Sequence, residues 1–235
     1  MDAAISPPTL TYSIVICIHS QEEALADNEQ SNLPEHGKTL KRVAREMYTW
    51  SCCEHQGVLP VLGFAQFMGQ IAVVTPWMED GSLQQQILRG SLRSPLQTCI
   101  ELAIAVEHLH EKGVVHGDIK PAPEVLKEQS VPPTTESDVY ALGMTMYNIM
   151  GGSLPFADKW EPLVIVEVLS KKGQPSRPSL DHSLLSNDAK VKMWDLLQSC
   201  FAYEPGDRLK ASQVKDALME IRGLENTHIR HVKTK

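Results

Sequence analysis

Residues 139–157 contain no Asp, Glu, Lys or Arg. Apolar side chains recur in this stretch at helical spacing, at Val139, Leu142, Met146 and Ile149. Because the positions between them are also uncharged, the pattern predicts a helix that is apolar nearly all round and therefore buried. A buried helix needs other elements around it, and a chain of 235 residues with 42% hydrophobic residues is large enough to supply them.

Residues 55–78 are also free of Asp, Glu, Lys and Arg. Both uncharged stretches reach the length of a transmembrane helix, roughly 17–25 residues. However, Pro60, Gly63, Gly69 and Pro76 interrupt the earlier stretch, and the later one ends in Gly-Gly-Ser-Leu-Pro. These residues favour a hairpin and a buried helix over a lipid-facing helix. We therefore expect no membrane span and no membrane partner.

The pattern of apolar residues changes along the chain. Residues 38–53 are predicted to form a helix, and residues 58–67 and 70–77 two strands joined near Gly69. Helices are then predicted at 81–88, 96–109, 139–149, 161–170, 188–201 and 211–222. Strands early and helices late predict an α+β fold with the helices segregated to one end. Residues 9–18 could form a further strand.

The charge and the cysteines exclude some classes of protein. Lys and Arg number 22 against 29 Asp and Glu, a net charge of −7, which argues against nucleic acid as a partner. The five cysteines form no Cys-x-x-Cys pair, so we expect no metal site built from them. Unpaired thiols are typical of a reducing compartment, and we expect an intracellular, cytoplasmic protein.

One segment suggests an activity: His116-Gly117-Asp118-Ile119-Lys120-Pro121. It resembles the catalytic loop of protein kinases, His-Arg-Asp followed by x-Lys-Pro, with Gly in place of Arg. In that family the Asp accepts the proton of the attacking hydroxyl, and the Lys lies near the transferred phosphate. The resemblance therefore implies catalytic roles for Asp118 and Lys120, with His116 as part of the motif.

Three more motifs resemble the helical lobe of the kinase fold. Asp138-Val-Tyr-Ala-Leu-Gly is similar to the start of a buried helix whose Asp holds the catalytic-loop backbone. Ala-Pro-Glu124 is similar to the end of the activation segment, and Pro-Gly-Asp-Arg208 to the stretch whose Arg pairs with that Glu. The resemblance implies that Glu124 and Arg208 form an ion pair, and that Asp138 accepts hydrogen bonds from the backbone near His116 and Gly117.

The smaller lobe carries a weaker resemblance. Val-Val-Thr75-Pro-Trp77-Met78-Glu-Asp-Gly resembles the hinge, which implies that Thr75, Trp77 and Met78 lie at the nucleotide. Glu46, nine residues before His55, lies where tyrosine-kinase-like enzymes place the Glu of their C helix. ATP and magnesium are the cofactors that the family resemblance implies.

Several parts that phosphoryl transfer needs are absent from the sequence. No Gly occurs before Gly37 and no Lys before Lys38, so the glycine-rich loop and the strand Lys that would pair with Glu46 are missing. Asp-Phe-Gly occurs nowhere, and no Asn lies between residues 32 and 148, so both magnesium ligands are missing. We expect no metal ligand and no productive binding of ATP.

The missing segment has a defined position, because Pro121 is followed directly by Ala122-Pro123-Glu124. Intact motifs on both sides suggest an excised block, as from a missing exon. Pro121 and Pro123 favour an extended backbone, which predicts an extended link over 120–124. With the cleft open at the missing loop, Asp118 is predicted to face water.

These motifs divide the chain into segments. Residues 1–37 are predicted to be a divergent or disordered N-terminal segment. The resemblance implies that residues 38–222 form an incomplete protein kinase domain, with an N-lobe remnant at 38–78 and a helical C-lobe at 79–222. Residues 223–235 are a basic tail.

Three hypotheses follow for the function. The chain could be an active kinase that phosphorylates Ser, Thr or Tyr hydroxyls of a protein substrate. It could be a pseudokinase that binds protein partners through its helical lobe. It could also be a truncated splice or gene-model product without an activity of its own. The sequence identifies neither the substrate nor the partner.

Overall fold

The computed structural model describes residues 44, 47–67, 70–117, 119, 122–127, 132–180 and 185–233. A helical segment, α1, covers residues 47–51. The remaining elements follow in chain order: β1 Gly63–Phe67, β2 Gln70–Val74, α2 Leu83–Arg89, α3 Pro95–Glu111, α4 Pro123–Lys127, α5 Thr135–Gly151, α6 Glu161–Lys171, α7 Asn187–Cys200, a short 3-10 helix Pro205–Asp207 and α8 Ala211–Lys233.

The described chain is mostly helical with one small sheet, so the predicted α+β class with a reduced strand lobe and a helical lobe is confirmed. β1 and β2 pair antiparallel, with Phe64 opposite Val73. Both strands are shorter than predicted. Pro60 and Pro76 lie in the parts that are not strand, where they cannot donate a backbone hydrogen bond to a ladder.

The main hydrophobic core lies in the helical part. α5 is apolar nearly all round, as predicted, and packs against α3 and α7, which in turn pack against α8. Among the largest fully buried side chains are Ile100, Val106, Val139, Leu142, Met146, Leu197 and Leu218. Burial of each such side chain contributes about 1.5–3 kcal/mol relative to exposure, and this core provides the rigid support for the candidate site.

Helix ends follow local sequence signals. Thr134 and Ser137 form a capping box at the start of α5, and Gly152 ends the helix in a left-handed conformation.

α8 differs from the prediction, because it continues past Arg222 to Lys233. Glu225, in this extension, is buried and accepts hydrogen bonds from the backbone and hydroxyl of Ser186 at 2.8 and 2.9 Å.

A second, smaller cluster joins the region around α1 to the helical part. Trp50, Cys53, Val58 and Leu59 pack against Leu109 of α3. Trp50 Nε1 also donates to the carbonyl of Leu59 at 2.6 Å. At the same place the rings of His55 and His108 stack with their centroids 4.7 Å apart, and His55 Nδ1 accepts from the Gly57 amide.

The stacked histidines predict a dependence of stability on pH. Burial, and secondly the neighbouring His108, lower the pKa of His55. The unfolded chain therefore binds a proton more readily, and the free energy of unfolding should fall as the pH drops below about 6.5. His55→Asn removes this titration, so urea unfolding from about pH 7.5 down to about pH 5 should show a shallower loss in the variant. Identical slopes would contradict the prediction.

Within the part of the chain that the structure describes, no helix combines the length and the apolar character needed to cross a bilayer. Residues 1–37, including the strand considered at 9–18, lie outside the described residues.

Candidate active site

Asp138 anchors the loop that carries the catalytic-loop resemblance. It lies in the first turn of α5, after the capping box, and is 1% exposed. Its Oδ2 accepts from the amide of His116 and its Oδ1 from the amide of Gly117, each at 2.8 Å. These contacts confirm the hydrogen bonds predicted for Asp138. The helix N-terminus and the two amides together compensate for burial of the carboxylate.

His110 is a third partner of this carboxylate, and it was not among the residues predicted from the sequence. Its Nε2 lies 3.0 Å from Asp138 Oδ2, and because an ionised carboxylate only accepts, the ring nitrogen donates. His110 lies in the last turn of α3. The pair therefore ties the helix before the loop to the helix after it. The only signal in the sequence is a histidine just ahead of the motif.

Gly117 stands where the kinase pattern has Arg, and its backbone explains why a glycine suits this position. Its φ is +72°, a left-handed conformation, and a Cβ there would lie 2.7 Å from Cγ of Pro133. The loop therefore runs against the segment that leads into α5. An Arg here would need the loop to take another path.

Gly117→Ala is expected to lower the free energy of unfolding by more than the same change at Gly113. Gly113 has a similar φ, +70°, but a Cβ there would meet nothing within 4 Å. Both substitutions incur the left-handed penalty of about 1–2 kcal/mol. Only Gly117→Ala adds the clash with Pro133, worth roughly 1–3 kcal/mol more. Denaturant unfolding measures the difference, and equal effects would show that Pro133 moves aside freely.

The second anchor is the ion pair of Glu124 and Arg208, 84 residues apart in sequence. The pair is bidentate, with NH1 to Oε1 at 2.7 Å and NH2 to Oε2 at 2.8 Å, which confirms the predicted contact. The Arg208 side chain is fully buried, while that of Glu124 is 19% exposed. The ion pair fixes the short helix α4 against the region that precedes α8.

The other donors of Arg208 are also used. Nε donates to the carbonyl of Ala202, NH1 to that of Glu136, and NH2 to that of Tyr203. The guanidinium also lies 5.0 Å from the centre of the Tyr140 ring. All five N–H groups therefore have acceptors, as a buried guanidinium requires.

The path between the two anchors differs from the prediction. Pro123 and Glu124 are the first residues of the helix α4, so the extended link predicted over 120–124 is wrong at its C-terminal end. The physical reason is that proline at the first position of a helix has a suitable φ and needs no N–H partner there. Ile119 packs against the main core. Asp118, Lys120 and Pro121 lie outside the described residues, as does the predicted exposure of Asp118 to water.

The residues predicted to contact a nucleotide lie in the segment that follows β2. Thr75 is half-buried, and Trp77 is 89% exposed. Met78 packs against the smaller cluster, and its carbonyl accepts from the amide of Gly81 at 3.1 Å. The structure thus shows a linker between the hairpin and α2. The roles of these residues toward a nucleotide stay predictions.

The residues that the structure describes do not form a magnesium site. Among the described residues, no three His, Cys, Asp or Glu side chains group as a metal site would need. The sequence lacks the Asn and the Asp-Phe-Gly that hold the ions in kinases. Glu46, the carboxylate predicted for the smaller lobe, lies outside the described residues.

The cysteines that the structure describes offer no reactive thiolate in the core. Cys52, Cys53, Cys99 and Cys200, the cysteines that the structure describes, form no disulfide. Burial raises the pKa of Cys200 to about 12 and also raises that of Cys99. Both thiols are therefore protonated near neutral pH and act as small apolar core residues.

Comparison with known proteins agrees with the geometry. Residues 30–121 match the family profile "Protein tyrosine and serine/threonine kinase", and residues 121–218 match the profile "Protein kinase domain". The chain belongs to the protein kinase superfamily. The two matches meet at Pro121, the residue at which the sequence predicts the interruption. They support an incomplete protein kinase domain.

Individual kinases that are similar to this chain indicate the group of kinases that the domain resembles. The serine/threonine-protein kinase STY17 of Arabidopsis thaliana is 18% identical over 226 residues, 79% of this chain and 38% of the relative. The Raf homolog serine/threonine-protein kinase of Caenorhabditis elegans is 22% identical over 218 residues, which cover 71% of this chain and 26% of the relative. The human interleukin-1 receptor-associated kinase-like 2 is 35% identical over 88 residues, which cover 35% of this chain and 14% of the relative.

These relatives support the tyrosine-kinase-like character of the domain. The chain spans less than two fifths of the length of each of them. Membership of the family associates the fold with ATP and magnesium in general, whereas this sequence lacks the Asn and the Asp-Phe-Gly that hold the metal in kinases.

Proposed function

We propose that this chain is a non-catalytic protein kinase domain whose helical lobe serves as a protein-binding module, and that its phosphoryl transfer is lost or severely impaired. The observation that supports the proposal is a contrast. Both anchors of the helical lobe, at Asp138 and at Arg208, are complete. By contrast, the catalytic-loop motif ends at Pro121 and is followed directly by Ala122, without the Asn and the Asp-Phe-Gly that hold magnesium in kinases.

The chemistry explains why that loss matters. Catalysis of phosphoryl transfer consists almost entirely of positioning and of neutralising negative charge on the phosphates. Asp118, as a base acting on a hydroxyl, would contribute only about 10²–10⁴-fold by itself. We infer that a base held by an intact loop anchor, without cations to stabilise the phosphoryl group, leaves little turnover. ATP and magnesium are therefore proposed not to bind productively.

The partner and the location belong to the same proposal. The net charge of −7 supports a protein partner over nucleic acid. The free thiols described at 52, 53, 99 and 200 support a reducing, cytoplasmic compartment.

A second candidate is a truncated product of a gene whose intact protein is an active kinase. The meeting of the two family matches at Pro121 favours it. The genomic DNA across the codons for Pro121 and Ala122 decides between the two. An intron that contains an in-frame Asp-Phe-Gly would identify a truncated product, and uninterrupted codons would support a stable non-catalytic domain.

Phosphotransfer to a generic protein substrate tests the loss of catalysis. With labelled ATP and magnesium, the full chain is expected to transfer phosphate no faster than its Asp118→Ala variant. The matched control is Asp158→Ala, which removes a carboxylate that is 73% exposed and lies outside the motif. Turnover that Asp118→Ala abolishes and Asp158→Ala preserves would show that the missing parts are not needed.

A further inference from the structure

A tight turn at residues 55–58 attaches the region around α1 to α3. The carbonyl of His55 accepts from the amide of Val58 at 2.9 Å. Gly57, inside the turn, is buried, and a Cβ there would lie only 2.9 Å from Cβ of Ala105, so its backbone lies directly against α3. Val58 and Leu59 are 2% and 5% exposed. Burial of the smaller cluster therefore depends on the conformation of this turn.

The side chain of His55 closes the turn in its neutral form. Its Nδ1 accepts from the amide of Gly57 at 3.0 Å. Because a backbone amide can only donate, this ring nitrogen carries no proton in the observed conformation. The side chains of Asn and Asp accept from the amide two residues further on in the same way.

A proton on Nδ1 would replace the acceptor by a second donor. The Nδ1–H group and the amide of Gly57 would then face each other at a distance suited to a hydrogen bond, and the amide would lose its acceptor. Since Gly57 is buried against α3, its amide reaches water only if the turn moves away from the helix.

The ring of His108 disfavours the same proton. The two imidazoles stack with their centroids 4.7 Å apart and their planes 21° from parallel. Burial, and secondly His108, lower the pKa of His55. Among the described residues, the buried Nε2 of His108 has no hydrogen-bond partner, so this ring brings no acceptor that would stabilise a charge on the pair.

The charged groups of α3 do not compensate for a proton on His55. Glu107 accepts from Lys215 of α8 at 2.7 Å, and Glu111 also acts on that lysine. Lys112, at the end of α3, is itself a cation. Within the described part of the chain, His108 is the titratable group of α3 that acts on the pKa of His55.

The residues on the other side of the turn offer no partner either. Glu54 is exposed, and so is Cys52. The thiol of Cys53 donates to the carbonyl of Thr49 at 3.2 Å, and burial raises its pKa, so it stays uncharged. Residues 56–78 contain no Asp, Glu, Lys or Arg.

We propose that uptake of a proton by His55 releases residues 47–62 from α3 while the core around α5 stays folded. The contact is fully present above the ordinary pKa of histidine, about 6.5, and is lost as the pH falls through the lower pKa of the folded state. Release would expose the buried side chains of Trp50, Val58 and Leu59, and the hairpin could then move independently of the helical part. The proposal is independent of the loss of catalysis, because none of these residues belongs to the catalytic-loop motif.

Amide hydrogen exchange of the full chain between about pH 7.5 and pH 5 tests the proposal. Rates are divided by the intrinsic rate at each pH, which gives a protection factor for each amide. The protection of Gly57 and Val58 should fall by about tenfold or more, as uptake of one proton allows. At every pH it should stay at least about tenfold below that of Leu142 in α5, because opening is local. The midpoint of the loss should coincide with the titration of the His55 ring, followed by NMR.

Two variants separate the proton on His55 from other effects of pH. His55→Asn keeps an acceptor for the amide of Gly57 but does not titrate, so protection of Gly57 should change less than about twofold over the range. Gln56→Asn places the same side chain at the exposed neighbouring position and is the matched control. This control should lose protection as the wild type does.

Three outcomes would overturn the proposal. Gly57 and Leu142 could have equal protection at each pH, which would mean that the turn opens only when the whole domain unfolds. His55→Asn could lose protection as strongly as the wild type, which would assign the proton to another group. The protection of Gly57 in the wild type could also be the same at both ends of the range.

Discussion

Replacing Arg208 by Met is expected to lower the free energy of unfolding by about 3–5 kcal/mol, because the substitution leaves the carboxylate of Glu124 without its partner. The carbonyls of Ala202, Glu136 and Tyr203 lose their donor at the same time. For a chain of this size the loss corresponds to about 6–20 °C in melting temperature. Thermal and urea unfolding of the full chain measure it.

Two further variants show whether the ion pair is the cause. Lys172→Met breaks a pair with Glu204 in which both side chains are about 60% exposed, and it should lower the stability far less than Arg208→Met does. Adding Glu124→Leu to Arg208→Met removes the stranded carboxylate and should restore part of the stability. A double variant as unstable as the single one would mean that Arg208 acts mainly through the three carbonyls.

Asp138→Asn is expected to cost about 2–4 kcal/mol, because one of two charge-assisted acceptors becomes an amide NH₂ that faces a donor. The amides of His116 and Gly117 should lose their protection from hydrogen exchange while the α5 core keeps its own. Asp188→Asn is the matched control, since Asp188 also lies in the first turn of a helix but is exposed. The control should lose only about 0.3–1 kcal/mol. Similar losses at the two positions would contradict the anchoring role of Asp138.

Contacts between residues of motifs that resemble those of protein kinases could be predicted from the sequence. Glu124 and Arg208 lie far apart in the chain, yet each lies in a motif with a defined partner, and the pair is present. Asp138 was placed correctly for the same reason, and α5 because an uncharged helical pattern has to be buried.

Predictions failed where two physical readings of one residue compete. Pro123 suits an extended segment and also the first position of a helix, and the structure has the helix. α8 was predicted too short, because the polar residues after Arg222 resemble a solvated tail. Burial of Glu225 against Ser186 depends on tertiary contact with the start of α7. His110 could not be assigned, since its contact with Asp138 exists only once α3 and α5 are packed.

The most direct test of the central claim is the binding of ATP to the full chain, titrated with and without magnesium. The account predicts that magnesium does not tighten binding and that ATP with magnesium does not raise the melting temperature, because the residues that hold the metal in kinases are missing. Micromolar binding that requires magnesium would contradict it and would show that other residues of this chain hold the ion.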